Sequence, residues 1–217
     1  MNKRIEFDKQ FTKKYILGID EVGWGCVAGP VMLGGCLLSE DFYLNYEENV
    51  KKYPFFEKIK DSKKVSEKVR IELFNEIKNC PLLTCFLGTA SCNYINKHKL
   101  AESYRFAVES ILSKIPEIEK TAIIIDGNRN PKSPSLTNFE LIIKGDDKSF
   151  VIGIASLFAK ESRDQYMRDL STLDQYKAYG FEKHKGYGTS LHLEAIKANG
   201  LTPEHRTEAS LNLIKQI

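Results

Sequence analysis

The sequence predicts an α/β fold: a mixed sheet with helices packed on it. Two observations carry this. Short apolar runs rich in β-branched and aromatic residues recur, each stopped by glycine, proline or a carboxylate. Other stretches place their apolar residues at helical spacing. The order runs three strands, a helix, two strands and then helices, with a shorter helix before the third strand.

Residues 1–14 read as a polar lead-in. Tyr15–Asp20 is the first strand. It ends in two adjacent acids, Asp20 and Glu21, followed by Gly23, Gly25 and Gly29. Pro30–Leu38 is the second strand, expected to pair with the first as a hairpin. Residues 39–64 read as a long polar connection holding Asp61-Ser62-Lys63-Lys64. Ser66 caps a helix that carries Val69, Leu73, Phe74 and Ile77 at helical spacing, and Pro81 closes it. Leu82–Thr89 is the third strand. Leu100, Tyr104, Ala107, Val108, Ile111, Leu112 and Ile115 line one helix face, which Pro116 ends. Thr121–Ile125 and Phe139–Ile143 are strands that run into Asp126-Gly127-Asn128 and Lys144-Gly145-Asp146-Asp147. An apolar helix follows from Val151 to about Leu170. Ser190–Ala198 and Glu204–Ile214 are further helices.

A chain of 217 residues fits one domain with a substantial core. With 42% hydrophobic and 28% charged residues it reads as a soluble globular protein. Its net charge of +3 is compatible with a polyanionic partner and does not demand one. No stretch has the length and apolarity of a membrane span, and the charged N-terminus lacks a signal-peptide core, so a cytoplasmic location is expected. The five cysteines form no C-x-x-C pair, which argues against zinc; they are expected to be reduced and buried.

Three strands end in carboxylates, at Asp20-Glu21, at Asp126 and near Asp146. If those strands end on one sheet edge, the acids converge in the crevice where α/β sheets build sites. Carboxylates held together repel unless a cation neutralises them. An all-oxygen donor set selects Mg²⁺ or Mn²⁺. Two such ions about 4 Å apart support in-line displacement at a phosphodiester. Each acid by itself is also an ordinary turn residue. The glycine loop is not a dinucleotide fingerprint, because Ala28 stands where the third glycine belongs, and no Gly-Lys-Ser/Thr follows. No nucleotide cofactor is expected. Lys63, Lys64, Lys144, Lys160, Arg163, Lys183 and Lys185 are candidate phosphate contacts, with solvated surface charge as the plain alternative. Tyr187 could stack on a sugar or base, or sit in the core. His184 reads as a hydrogen-bonded structural residue. His98, His192 and His205 show no mutual ligand spacing.

From Gly18 to Arg206 the chain resembles ribonuclease HII, the type 2 ribonuclease H family, in several ordered blocks. They are Gly18-Ile19-Asp20-Glu21-Val22-Gly23-x-Gly25 with Ala28-Gly29-Pro30-Val31; Asp61-Ser62-Lys63-Lys64-Val65-Ser66; Ile125-Asp126-Gly127-Asn128; Lys144-Gly145-Asp146; Ala155-Ser156-Leu157-Phe158-Ala159-Lys160 with Arg163-Asp164; Tyr179-Gly180-Phe181 with His184-Lys185-Gly186-Tyr187; and His205-Arg206. The related ribonuclease HIII carries an extra N-terminal domain, and the lead-in here is too short for one.

The resemblance implies a ribonuclease H-like fold with a mixed five-stranded sheet flanked by helices. A catalytic core over about 15–170 would precede a C-terminal helical substrate-binding extension over about 171–217. It implies an endonuclease for the RNA strand of RNA–DNA hybrids that also nicks 5′ of ribonucleotides embedded in duplex DNA. Two-metal-ion hydrolysis would leave 5′-phosphate and 3′-hydroxyl ends. It assigns Asp20, Glu21, Asp126 and Asp146 to the metal ions, and Gly23, Trp24, Gly25, Lys63, Ser156, Lys160 and Tyr187 to the substrate. A monomer is expected, and the C-terminus shows no partner motif. The family's Gly-Arg-Gly is Gly23-Trp24-Gly25 here. The backbone contacts to the 2′-hydroxyl survive that change, but the arginine charge is lost. This loss motivates the rival reading of a weakly active or non-catalytic hybrid-binding protein. Another metal-dependent nuclease, such as a junction resolvase, would leave the glycine and tyrosine blocks unexplained.

Overall fold

The computed structural model describes residues 2–11, 13–59 and 66–214. Strands β1 (Tyr15–Val22), β2 (Val31–Ser39), β3 (Thr84–Ala90), β4 (Thr121–Asp126) and β5 (Glu140–Ile142) form one sheet in the order β3-β2-β1-β4-β5. The first two strands pair antiparallel, as the glycine turn predicts, from Tyr15 opposite Ser39 to Val22 opposite Met32. β4 lies parallel to β1, with Ile19 opposite Ile125, and β5 parallel to β4. Parallel neighbours end at the same edge, so β1 and β4 deliver Asp20 and Asp126 side by side.

In chain order the helices are α1 (Lys3–Asp8), α2 (Glu40–Leu44), α3 (Tyr46–Lys52), α4 (Glu67–Asn79), α5 (Cys92–Leu112), α6 (Gly145–Lys148), α7 (Phe150–Ser171), α8 (Phe181–His184), α9 (Ser190–Asn199) and α10 (Thr207–Ile214). Ser66 caps α4, accepting from the Val69 N–H. Helix α5 is broken at Lys99, so the periodic face from Leu100 occupies its second half.

The period-2 alternation of β1 divides the core. Leu17 and Ile19 face α5, together with Tyr104, Ala107, Val108 and Ile111. Ile16 faces α7, together with Phe150, Val151 and Ile154. Gly18 lies on the α7 face, and a Cβ there would meet the Val151 carbonyl carbon and the Ile152 nitrogen at 2.7 Å. Its missing side chain lets α7 press onto the sheet beneath the acids. By the same alternation Asp20 faces α7 and Glu21 faces α5.

Two readings of the first sixty residues are corrected. Residues 39–59 are not a polar connection. They form α2, α3 and a 3₁₀ turn over Pro54–Lys58, and they bury Phe42, Tyr43, Tyr46, Phe55, Phe56 and Ile59. The rings meet largely edge to face, with Phe42 and Phe56 centroids 5.2 Å apart. The stretch read as a polar lead-in holds α1 and a buried carboxylate at its end. The Asp8 carboxylate caps α7, accepting from the Phe150 and Val151 N–H groups, and receives the Tyr43 hydroxyl. Burial holds that carboxyl up at about 6. Residues 60–65, which hold Lys63 and Lys64, lie outside the described residues.

Residues 176–213 pack on the end of α7 and on the glycine loop, with Ala28, Met167, Tyr179, Phe181 and Leu193 in one cluster. The predicted helix from Glu204 begins at Thr207, because Glu204 lies in a turn and His205 pairs with the glycine loop. Ala28 bridges His205, Gly29 donates to the Glu204 carbonyl, and Arg206 donates to the Val27 carbonyl. All five cysteines are free, and Cys85 is the one not fully buried.

Candidate active site

Asp20 sits at the end of β1 with 8% of its surface exposed. Burial raises its pKa well above the ordinary carboxylate value, and Asp126, Glu21 and Asp146 push it further in the same direction; a hydrogen bond from Ser156 opposes them. The four acids read from the sequence therefore share one electrostatic environment. Asp146 lies on α6, entered through a left-handed Lys144, and is buried where its neighbour Asp147 is exposed. The Asp126 carboxylate accepts from the Gly145 N–H and so ties the end of β4 to α6. Arg4, in α1, donates to the Asp146, Ser149 and Ile59 carbonyls and fixes the turn that carries the fourth acid. A Cβ on Gly153 would overlap the Arg4 guanidinium, so a glycine in α7 gives that arginine its passage.

As placed, no three His, Cys, Asp or Glu side chains among the described residues close on one point as a finished chelate. Glu21 is turned toward Arg129, which it meets at 2.6 Å. The donor set is nonetheless all oxygen, as hard divalent cations require. Beneath it the Tyr104 hydroxyl is buried without a hydrogen-bond partner. Burial, then the charges of Glu21 and Asp20, raise the pKa of that hydroxyl. Tyr104 was read only as core. Its place on the α5 face, opposite Glu21, is the signal that links it to the acids.

The three residues of the glycine turn differ. Gly23 is buried at φ +85°, and a Cβ there would meet Arg163 Nε at 2.3 Å. Its constraint is internal. Gly25 is exposed, and nothing lies within 4 Å of where its Cβ would be. Trp24 is half-buried, packs edge-on against Tyr104 at 5.7 Å and lies under the Arg129 guanidinium at 4.3 Å.

Of the other candidates, Tyr187 is 41% exposed. Lys160 Nζ lies 5.9 Å from its ring centroid and pairs with Asp164 at 2.7 Å. Ser156 is buried beneath the carboxylates, hydrogen-bonded to Asp20. Arg163 is a correction. It is fully buried and donates to the Pro30, Ala28 and Lys185 carbonyls at 2.7–2.9 Å, so it joins the glycine loop to the tyrosine loop and does not reach phosphate.

The fold brings together histidines that sequence spacing does not link. His192 and His205 are in contact, Nε2 to Nε2 at 3.1 Å, and His184 stacks on His192 at 4.0 Å. The partners fix the protons. His192 Nδ1 must donate to the Tyr187 carbonyl, so its Nε2 accepts from His205, whose Nδ1 accepts from Thr202. His184 was read as structural, and it joins the Tyr179 carbonyl to the Gly186 N–H. Burial pushes His192 and His205 down to about 4. The unfolded chain takes up these protons near pH 6.5, whereas the fold resists them until about 4. Stability is therefore full above pH 6.5 and is lost as the pH falls toward 4. Between pH 7 and pH 5 the two histidines together contribute a loss of about 4 kcal/mol, which urea unfolding should register and which His205→Asn should flatten.

The fold matches the crystal structure of the ribonuclease H2 from Pyrococcus horikoshii OT3, with a TM-score of 0.69 at 21% identity, covering 93% of this chain and 98% of that one. It also matches Bst-RNase HIII in complex with Mn²⁺, with a TM-score of 0.69 at 17% identity, over 97% of this chain and 73% of that one. In sequence the chain is 39% identical over 194 residues to ribonuclease HII of Bacillus thuringiensis (strain Al Hakam), covering 88% of this chain and 67% of the relative. Ribonuclease HII of Bacillus cereus (strain Q1) matches to the same extent. The family model for ribonuclease HII spans residues 17–212, from β1 through the acids to α10. By that span and that identity the chain belongs to the ribonuclease HII family of ribonuclease H enzymes.

Proposed function

We propose that this enzyme cleaves the RNA strand of RNA–DNA hybrids and nicks duplex DNA on the 5′ side of embedded ribonucleotides, leaving 5′-phosphate and 3′-hydroxyl ends. The observation that carries this reading is the buried Asp20 held among Glu21, Asp126 and Asp146 at the shared edge of β1 and β4. These four residues would hold two Mg²⁺ or Mn²⁺ ions. When bound, such ions activate water and stabilise the leaving oxygen of an in-line displacement. Ser156 and the Glu21 N–H orient the Asp20 carboxylate. The helical part over about 171–217 acts as a substrate-binding extension. It braces the glycine loop and holds Tyr187 by the carbonyl that His192 and the Thr189 N–H both donate to. Exposed Gly25 leaves room for a ribose 2′-hydroxyl to approach the backbone, the contact that separates RNA from DNA. Tyr187 offers its ring to the neighbouring sugar, and Lys160 and Lys63 offer charge to phosphates. The enzyme acts in the cytoplasm as a monomer. Among the described residues no helix is long and apolar enough to cross a membrane.

The test is a nicking assay with Mg²⁺ or Mn²⁺ on three duplexes: DNA with one ribonucleotide, a full RNA–DNA hybrid, and all-DNA. Incision of the first two alone is expected. Binding of the hybrid without incision under either metal would establish instead the hybrid-binding reading motivated by Trp24.

The glycine turn gives a separable prediction. Gly25→Ala should fold with an unchanged melting temperature and weaken discrimination between ribonucleotide-containing and all-DNA duplexes. Gly23→Ala should cost about 2 kcal/mol or more, because it adds left-handed strain to a clash with Arg163. Thermal melts and incision kinetics on the two variants separate these effects.

A further inference from the structure

The strand end that delivers Glu21 also delivers Trp24, and one guanidinium serves both. Arg129, three residues beyond Asp126, places Nη1 2.6 Å from Glu21 Oε1 and lies over the Trp24 ring at 4.3 Å. Glu21 is half-buried and Arg129 is exposed, so the arginine reaches in from solvent to neutralise a carboxylate that the buried Asp20 repels. The indole under it is fixed by edge contact with buried Tyr104 and by the Arg206 guanidinium, which holds the Trp24 carbonyl at 3.0 Å. An aromatic face is a favourable seat for a cation whether or not that cation also holds a carboxylate.

We propose that Arg129 is a displaceable counter-ion of the acid cluster: it holds Glu21 while no divalent cation is bound, yields that carboxylate to the cation, and stays seated on Trp24 beside the site. The inference rests on the assignment of Glu21 as a metal ligand. It gives Trp24 a role that follows from its own chemistry, as the platform that keeps a positive charge at the mouth of the site. The exchange breaks no covalent bond: Glu21 trades a guanidinium partner for a divalent cation. An arginine left on the indole then presents its free N–H donors outward, where a duplex phosphate would lie.

Trp24 is the only tryptophan in the sequence, so tryptophan emission, excited selectively over tyrosine, reports on this seat alone. The experiment is a titration with Mg²⁺ at constant ionic strength, followed by fluorescence and by calorimetry, for the wild type, Arg129→Ala, Arg129→Lys and Asp126→Asn. Losing a competitor should tighten Mg²⁺ binding in Arg129→Ala by roughly five- to tenfold. The wild-type emission should shift on Mg²⁺ addition, and Arg129→Ala should lack that shift. Arg129→Lys, which keeps the charge without the planar fork, should fall between them. Equal Mg²⁺ affinity in the wild type and Arg129→Ala, with binding lost only in Asp126→Asn, would overturn the counter-ion role and leave the metal site standing. An absence of Mg²⁺ binding in every variant would overturn both. Weaker binding in Arg129→Ala would also overturn the proposal, because it would make the arginine a support of the site and not its competitor.

Discussion

Asp20→Asn should lower hydrolysis of an RNA–DNA hybrid by on the order of 10³-fold and, in the same protein, raise the melting temperature measured in EDTA. The loss follows from removing a proposed metal ligand. Transition-state stabilisation by bound metal is worth several kcal/mol, and each 1.36 kcal/mol is tenfold in rate. The gain follows from the site's own electrostatics. Asp20 is buried among three acids, so its ionised form opposes folding when no cation is present. Asparagine is nearly the same shape and can still accept the Glu21 N–H that the Asp20 carboxylate now receives. Relief of about 1–2 kcal/mol corresponds to roughly 2–8 °C for a chain of this size. Adding Mg²⁺ should raise the wild-type melting temperature and leave the variant's nearly unchanged. A variant that melts lower than the wild type in EDTA would show that Asp20 supports the fold, in conflict with its place in a strained acid cluster.

The acids were legible in the sequence because strand periodicity exposes them. An apolar run that stops in a carboxylate marks both a strand end and its edge, and the parallel pairing of β1 and β4 then places Asp20 beside Asp126. The helix face from Leu100 was legible for the same reason. Residues 39–59 were not. Their aromatics sit in helices of five and seven residues and a 3₁₀ turn, too short for any period to repeat. The His192–His205 contact was hidden because His205 lies in an extended segment that bridges Ala28, and no local spacing encodes that. Arg4 and Arg129 were hidden by distance along the chain. Arg4 holds the Asp146 turn and Arg129 holds Glu21, each from a remote segment. Gly23 and Gly25 look alike in sequence, and only packing separates the one pressed against Arg163 from the one open to a ligand.

Arg163→Ala should destabilise the protein by about 5 kcal/mol, and the loss should fall on the junction of the two loops. The Arg163 guanidinium is fully buried, and its three named acceptors are all backbone carbonyls: Pro30 and Ala28 from the glycine loop, Lys185 from the tyrosine loop. This is why no charge pattern reveals it. Truncation strands three buried acceptors at about 1–3 kcal/mol each and leaves a cavity. Lysine keeps the charge but presents one ammonium where a planar fork reaches in three directions, so Arg163→Lys should recover only part of the loss. For a chain of this size the alanine variant should melt roughly 10–20 °C lower. Gly23 supplies the specific check. A Cβ there meets Arg163 Nε at 2.3 Å and the Pro30 carbonyl oxygen at 2.8 Å, so the arginine accounts for the worse clash. In an Arg163→Ala background, Gly23→Ala should therefore cost about 1 kcal/mol less than in the wild type, a coupling that a double-mutant cycle measures by urea unfolding. Strict additivity would mean that glycine at position 23 answers to its left-handed backbone alone, and that the arginine is not what holds the turn in place.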